Sequence, residues 1–168
     1  MPRRLLERCQ PDSIREFRTA ARIRYHDGLT LAMQGHRTAA IYLWGYAAEM
    51  ILKAAYFSFT GVKELAPLTV PGHIIPAINI GRSLGIPWPR AGQGHNVDAW
   101  AQLLIATHAR STQTAYSQPF EKQLARCGQR IYQLWREVLH YHKNVAYDYE
   151  VRQMCEAVEW LVIHAAVL

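Results

Sequence analysis

The sequence predicts an all-α fold: an antiparallel up-and-down bundle of about five helices, with a long Pro/Gly-rich connection between helices two and three. Three observations carry that expectation. Apolar residues recur at three- and four-residue steps through most of the chain, the period of a helix with one buried face. Strict apolar/polar alternation, the mark of a half-buried strand, is nearly absent. The 168 residues, half of them hydrophobic, fit a single domain over 1–168 whose core needs no metal or disulfide staple. Ten glycines and eight prolines exclude a fibrous or low-complexity chain.

The first helix is expected to start at Asp12 or Ser13, behind Pro11, and to run to about Gln34. Ile14, Phe17, Ala21, Tyr25, Gly28 and Ala32 form its apolar face. Gly35 ends it, and a second helix runs from about Arg37 to Thr60, stopped by Gly61. Alanines at 39, 40, 47, 48, 54 and 55 let neighbouring helices approach closely. From Gly61 to about Gly94 the composition changes, with Pro67, Pro71, Pro76, Pro87 and Pro89 interleaved with Gly72, Gly81, Gly85, Gly92 and Gly94. That density reads as a long connection, with at most a short helix near Ile74–Leu84; long connections inside a domain are often functional. Asn96 then caps a third helix from Val97 to about Arg110. Ser117 and Pro119 open a fourth, whose stripe of Phe120, Leu124, Cys127, Ile131, Leu134, Val138 and Tyr141 carries it to Tyr141. The last helix runs from about Asp148 to Ala166.

Several classes are disfavoured. Cys9, Cys127 and Cys155 have neither the pairing of a disulfide framework nor a CxxC metal spacing. The basic N-terminus lacks the apolar stretch of a signal peptide. The most hydrophobic run, Ala39 to Phe57, carries Glu49 and Lys53 near its middle, so no membrane span is expected and the reducing cytoplasm is the default compartment. His36, His73, His95, His108 and His164 show no HExxH-like spacing, which argues against a metal, and no cofactor is indicated. Gly92-Gln93-Gly94-His95-Asn96 follows no strand and lacks a phosphate-loop lysine, and there is no GxSxG nucleophile setting.

Charge points to an anionic partner. Nineteen Lys and Arg against thirteen Asp and Glu give +6 and a pI near 9.4. The excess sits early: nine basic residues against five acidic ones up to Thr60, and six against six from Ser111 onward. Arg15, Arg18 and Arg22 share one helical stripe, suited to a nucleic-acid backbone or simply a solvated face. Tyr42, Tyr46, Glu49, Lys53 and Tyr56 form a second line. It reads either as a polar groove wall holding two ionisable groups, or as a half-exposed edge or dimer seam. Arg136, His140 and His142 form a third cluster at the end of the fourth helix, where Arg136 and His140 would be i, i+4 neighbours. A histidine that takes the 2′-hydroxyl proton and an arginine that stabilises the pentavalent phosphate are the minimum for metal-independent RNA cleavage. Histidines at a helix C-terminus also simply suit the dipole.

The segment from Arg37 to Phe57, RTAAIYLWGYAAEMILKAAYF, resembles the second helix of HEPN-domain proteins, which often read AAxYLxGYxxExxLKA. Gly94-His95-Asn96 resembles the turn before their next helix, and Trp135 to Tyr141 resembles their closing WxxxLRY region. The resemblance implies a helical bundle, commonly a homodimer, tied to RNA and to toxin–antitoxin or defence systems. Many members are ribonucleases with an R-x4-6-H motif. Others bind a nucleotide or partner a small nucleotidyltransferase. Here Arg136 and His142 give R-x5-H, while His140 gives only R-x3-H. Arg90 to His95 gives R-x4-H but falls in the Pro/Gly connection and is set aside. Glu137 stands where a polar residue usually follows the arginine. The expectation is an RNA- or nucleotide-binding module, whose catalytic form is a metal-independent ribonuclease using Arg136 and His142 across a dimer groove. The alternative is a non-catalytic dimeric interaction protein with Tyr42, Tyr46 and Tyr56 as exposed interface aromatics.

Overall fold

Two glycines set the lengths of the first two helices. In the computed structural model, which describes Cys9 and residues 11–89, 93–111 and 115–168, α1 spans Ile14–Met33 and α2 spans Arg37–Phe59. The Ser13 hydroxyl accepts from the Glu16 N–H at 3.2 Å and caps α1. Gly35, at φ 79°, turns the chain out of α1, its N–H donating to Ala32 O while that of His36 donates to Leu31 O. Gly61, at φ 82°, repeats the device after α2. An L side chain at such a φ costs roughly 1–2 kcal/mol, which glycine avoids.

Helix α2 is the centre of the molecule. Fifteen of its 23 residues are buried, so other elements surround it on nearly every side. Its neighbours come close because glycines make room. A Cβ on Gly28 of α1 would lie 2.4 Å from Trp44 Nε1, which donates to Tyr25 O at 3.0 Å. On another side of α2, a Cβ on Gly45 would lie 2.2 Å from the Trp135 ring.

The 61–94 connection is a brace laid on the core. It holds a wide turn, Val70–Ile74, and a helix, α3, Ile75–Ser83. Leu68, Ile74, Ile78, Ile86 and Trp88 of this stretch are all buried. Helix α4, Val97–Ala109, starts where the Asn96 side chain accepts from the Ala99 N–H at 3.0 Å. Helices α5, Gln118–Leu134, and α6, Asp148–His164, complete the bundle. They lie antiparallel, with Phe120 against Trp160 at one end and Arg130 paired with Glu156 further along. The described residues thus hold six helices and no strand: five main helices and α3, the short helix the sequence pattern allows near Ile74–Leu84. No helix among them is long and apolar enough to cross a membrane.

One boundary differs from expectation. The fourth predicted helix stops at Leu134, not Tyr141. Trp135 (φ −125°, ψ 138°) and Arg136 (φ −146°, ψ 152°) are extended, and Glu137–Tyr141 forms only a short 3-10 turn. Trp135 explains the break. Its ring is buried over Gly45 and its Nε1 donates to Tyr42 O at 3.1 Å, which pulls the chain across α2. Val138 and Tyr141, which extend the apolar stripe on paper, lie exposed.

Candidate functional site

The i, i+4 pair in the middle of α2 lies inside the protein. Glu49 and Lys53 are 4% and 7% exposed, and Lys53 Nζ meets Glu49 Oε1 at 2.5 Å. Lys53 Nζ also sits 5.6 Å over the Trp100 ring, a cation–π contact. The second carboxylate oxygen, Oε2, faces His95 Nδ1 at 2.8 Å. His95 reaches it because the turn before α4 is pinned twice, by the Asn96 cap and by Trp100 Nε1 donating to Gly94 O at 3.1 Å.

This arrangement sets the charge of His95. The hydrogen bond to Glu49 raises its pKa above the ordinary imidazole value. Burial and Lys53 work against the rise, and the charges of Glu49 and Glu137 add to it. His95 therefore holds its proton to higher pH than a free imidazole, with both ring nitrogens acting as donors when charged. Tyr46 stands edge-on to Trp135 at 5.2 Å, Tyr42 at 5.1 Å and His95 at 6.1 Å. Burial first, then Tyr42, pushes its phenol pKa well up, so it stays protonated.

Outside this core lie two pockets, both bordered by residues of the strap that links α5 to α6. The first, of about 250 Å³, is lined by His95, Asn96, Tyr132, Arg136 and Glu137 together with Pro89 and Val138. The Arg136 guanidinium lies 3.5 Å from the Tyr132 ring centre and donates through Nη1 to Trp135 O at 2.6 Å. The second pocket, of about 330 Å³, is lined by His36, Tyr42, His140, His142 and Asn144 with Thr38, Ala39 and Leu139. Thr38 clasps the strap to the start of α2. Its N–H donates to Asn144 Oδ1, and its Oγ1 accepts from the N–H groups of Val145 and Ala146.

The sequence-predicted residues are therefore redistributed. Arg136 and His140 are not i, i+4 neighbours on an α-helix, because Arg136 is extended and His140 lies in a short 3-10 turn. Arg136 faces one pocket while His140 and His142 face the other. Tyr42 and Tyr46 are half-buried, but Tyr56, at 4% exposure, packs against Trp100 and Phe57 and is no interface residue of this chain's surface. The arginine stripe is exposed but lies at the far end of α2. Arg18 bonds Glu64 and Ser58, and Ser58 is twenty residues from Thr38, about 30 Å along the helix at 1.5 Å per residue. Arg15 stands 3.9 Å from Glu16. Arg18 and Arg22 instead rim a groove of about 660 Å³ floored by Ile51, Ala54 and Ala55. Arg3, Arg4, Arg8 and Arg90 lie outside the described residues.

Sequence reasoning passes over His95, Trp135, Thr38 and Asn144 as site residues. The Gly-His-Asn turn before a capped helix is the one signal for His95, since no spacing rule links it to a carboxylate 46 residues earlier. Among the described residues no cluster of His, Cys, Asp or Glu is arranged to hold a metal ion. Comparison with protein-family models, curated proteins and solved structures returns no match.

Proposed function

We propose that this chain is a HEPN-like module that binds RNA or a nucleotide at the pocket between the 93–96 turn and Arg136. One observation carries the reading. His95, whose hold on its proton a buried carboxylate strengthens, and the Arg136 guanidinium line the same pocket of about 250 Å³. An imidazole that favours its charged form and a guanidinium in one small cleft suit a phosphate. Glu137 lines the cleft as well, so it holds the groups that phosphodiester cleavage without a metal requires. The Glu137 carboxylate takes the 2′-hydroxyl proton, His95 gives one to the leaving 5′-oxygen, and Arg136 stabilises the phosphorane. In this version His95 replaces His142 as the partner of Arg136.

The test is incubation of the purified protein with end-labelled single-stranded RNA, in parallel with a binding titration. Cleavage giving 5′-hydroxyl ends, lost in His95→Ala and Arg136→Ala, supports the ribonuclease version. Binding without cleavage leaves the binding module alone. An absence of both removes the reading.

A second reading, a non-catalytic dimeric interaction protein such as a partner of a small nucleotidyltransferase, is favoured by a different surface. Ile163 lines the groove rimmed by Arg18 and Arg22, and it is 68% exposed. Sedimentation of wild type and Ile163→Glu tests it, and a monomer at micromolar concentration counts against self-association.

A further inference from the structure

We propose that the strap between α5 and α6 is a stacking platform for single-stranded RNA that leads toward the His95–Arg136 pocket; this rests on the RNA-binding reading above. The strap and the start of α6 expose aromatic rings to an unusual degree: Tyr141 is 80% exposed, Tyr147 65% and Tyr149 52%. None of the three is among the residues packed on the hydrophobic core. They come as two preformed ring pairs. His140 lies against Tyr141 with ring centres 3.7 Å apart and planes tilted by 44°, and Tyr147 faces Tyr149 at 5.9 Å with only 11° between planes.

The surroundings favour a nucleic-acid strand. Between Tyr141 and Tyr147 the chain is His142, Lys143, Asn144, Val145 and Ala146, a mainly polar stretch unlike the apolar ring around a protein-interface anchor. The nearby acids are occupied: Asp148 pairs with Arg37, and Glu150 accepts the Tyr147 N–H at 2.8 Å. Lys143 and Arg152 are exposed, with no side-chain partner among the described residues. Cations for the phosphates and open ring faces for the bases are the two components of a sequence-tolerant single-strand site. The two pairs are six residues apart, at most ~22 Å of chain, and the pocket of about 330 Å³ lined by Tyr42 and His142 is large enough for a base. Duplex RNA keeps its bases stacked inside, so this surface selects unpaired strands. The Thr38 clasp holds the strap in place before the strand arrives, which lowers the ordering cost of binding.

Two probes separate the platform from the pocket: a fluorescein-labelled 2′-fluoro dodecauridylate, which cannot be cleaved through a 2′-hydroxyl, and uridine 3′-monophosphate, which occupies the pocket alone. The variants are Tyr141→Ala/Tyr147→Ala/Tyr149→Ala and the matching triple Phe variant, both checked for fold by thermal melting. The expected result is dodecamer affinity at least tenfold weaker in the Ala triple, near wild type in the Phe triple, with mononucleotide affinity equal in all three. Tyr141→Ala alone repeats the measurement on the most exposed ring if the triple melts early. Equal dodecamer affinity in wild type and the Ala variants overturns the platform and leaves the pocket reading standing. A dodecamer that binds no tighter than the mononucleotide does the same. Wild type binding neither probe overturns both. An Ala triple that loses self-association in sedimentation, with RNA affinity unchanged, assigns the rings to a protein contact and overturns the platform.

Discussion

Glu49 joins two distant parts of the chain: one carboxylate oxygen holds Lys53 a helical turn away, and the other holds His95, 46 residues later. The carboxylate is thus both a neutralised core charge and the group that sets the protonation of a surface-facing imidazole. Its two roles are separable by mutation.

Removing Glu49 alone leaves Lys53 buried without its counter-charge. Glu49→Ala is expected to cost about 3–5 kcal/mol, the range for breaking one side of a buried pair, whereas Glu49→Leu/Lys53→Leu recovers most of that loss. Urea denaturation measures both, and a double variant as unstable as the single one contradicts the account.

The second role appears in titration. Because the folded His95 pKa is raised, its contact with Glu49 contributes fully below the unfolded value of about 6.5. The contribution is lost as pH rises through the higher folded value. Histidine NMR titration should place the His95 midpoint above that of an ordinary histidine, and Glu49→Gln should lower it. The stability gap between wild type and His95→Asn should shrink from pH 6 to pH 9.

Thr38 governs the strap. Thr38→Val keeps the shape but removes the acceptor for the amides of Val145 and Ala146, at a cost of about 1–3 kcal/mol. Hydrogen exchange should speed up across 142–147 while α2 amides keep their protection. Thr38→Ser, which retains the oxygen, should behave as wild type. Equal exchange in Val and Ser variants would show that the clasp holds nothing.

Gly45 and Gly35 offer a paired comparison. At Gly45 an added methyl meets a ring pinned by its own hydrogen bond, so Gly45→Ala is expected to cost about 1–3 kcal/mol or more by overpacking. It should also change Trp135 fluorescence. At Gly35 nothing lies within 4 Å, and only the positive φ opposes Ala, at roughly 1–2 kcal/mol. A Gly35→Ala variant that perturbs Trp135 fluorescence as strongly would contradict this division.

What the sequence made legible was what local chemistry decides. Ser13, Gly35, Gly61 and Asn96 mark helix ends through bonds made within a few residues, and Glu49 and Lys53 meet because four residues close one turn. The end of α5 was not legible, since Val138 and Tyr141 continue the helical period perfectly well. A helix stops there because Trp135 fits above a glycine ninety residues earlier, and no local pattern records a tertiary vacancy. The same limit hid the Glu49–His95 contact and split Arg136 from His142. The arginine stripe also lies away from that pocket, as Arg18 reaches Ser58 at the opposite end of α2 from the strap.

The slot over Gly45 has a consequence for the order in which the molecule is built. Helices α1 and α2 form a hairpin with contacts close in sequence, so they can fold while the rest is still being made. The slot stays empty until Trp135 emerges, and the clasp on Thr38 stays open until Ala146 follows. A chain interrupted before those residues would keep its hairpin yet have neither pocket. Both pockets thus arrive late in synthesis, with the closing of the strap.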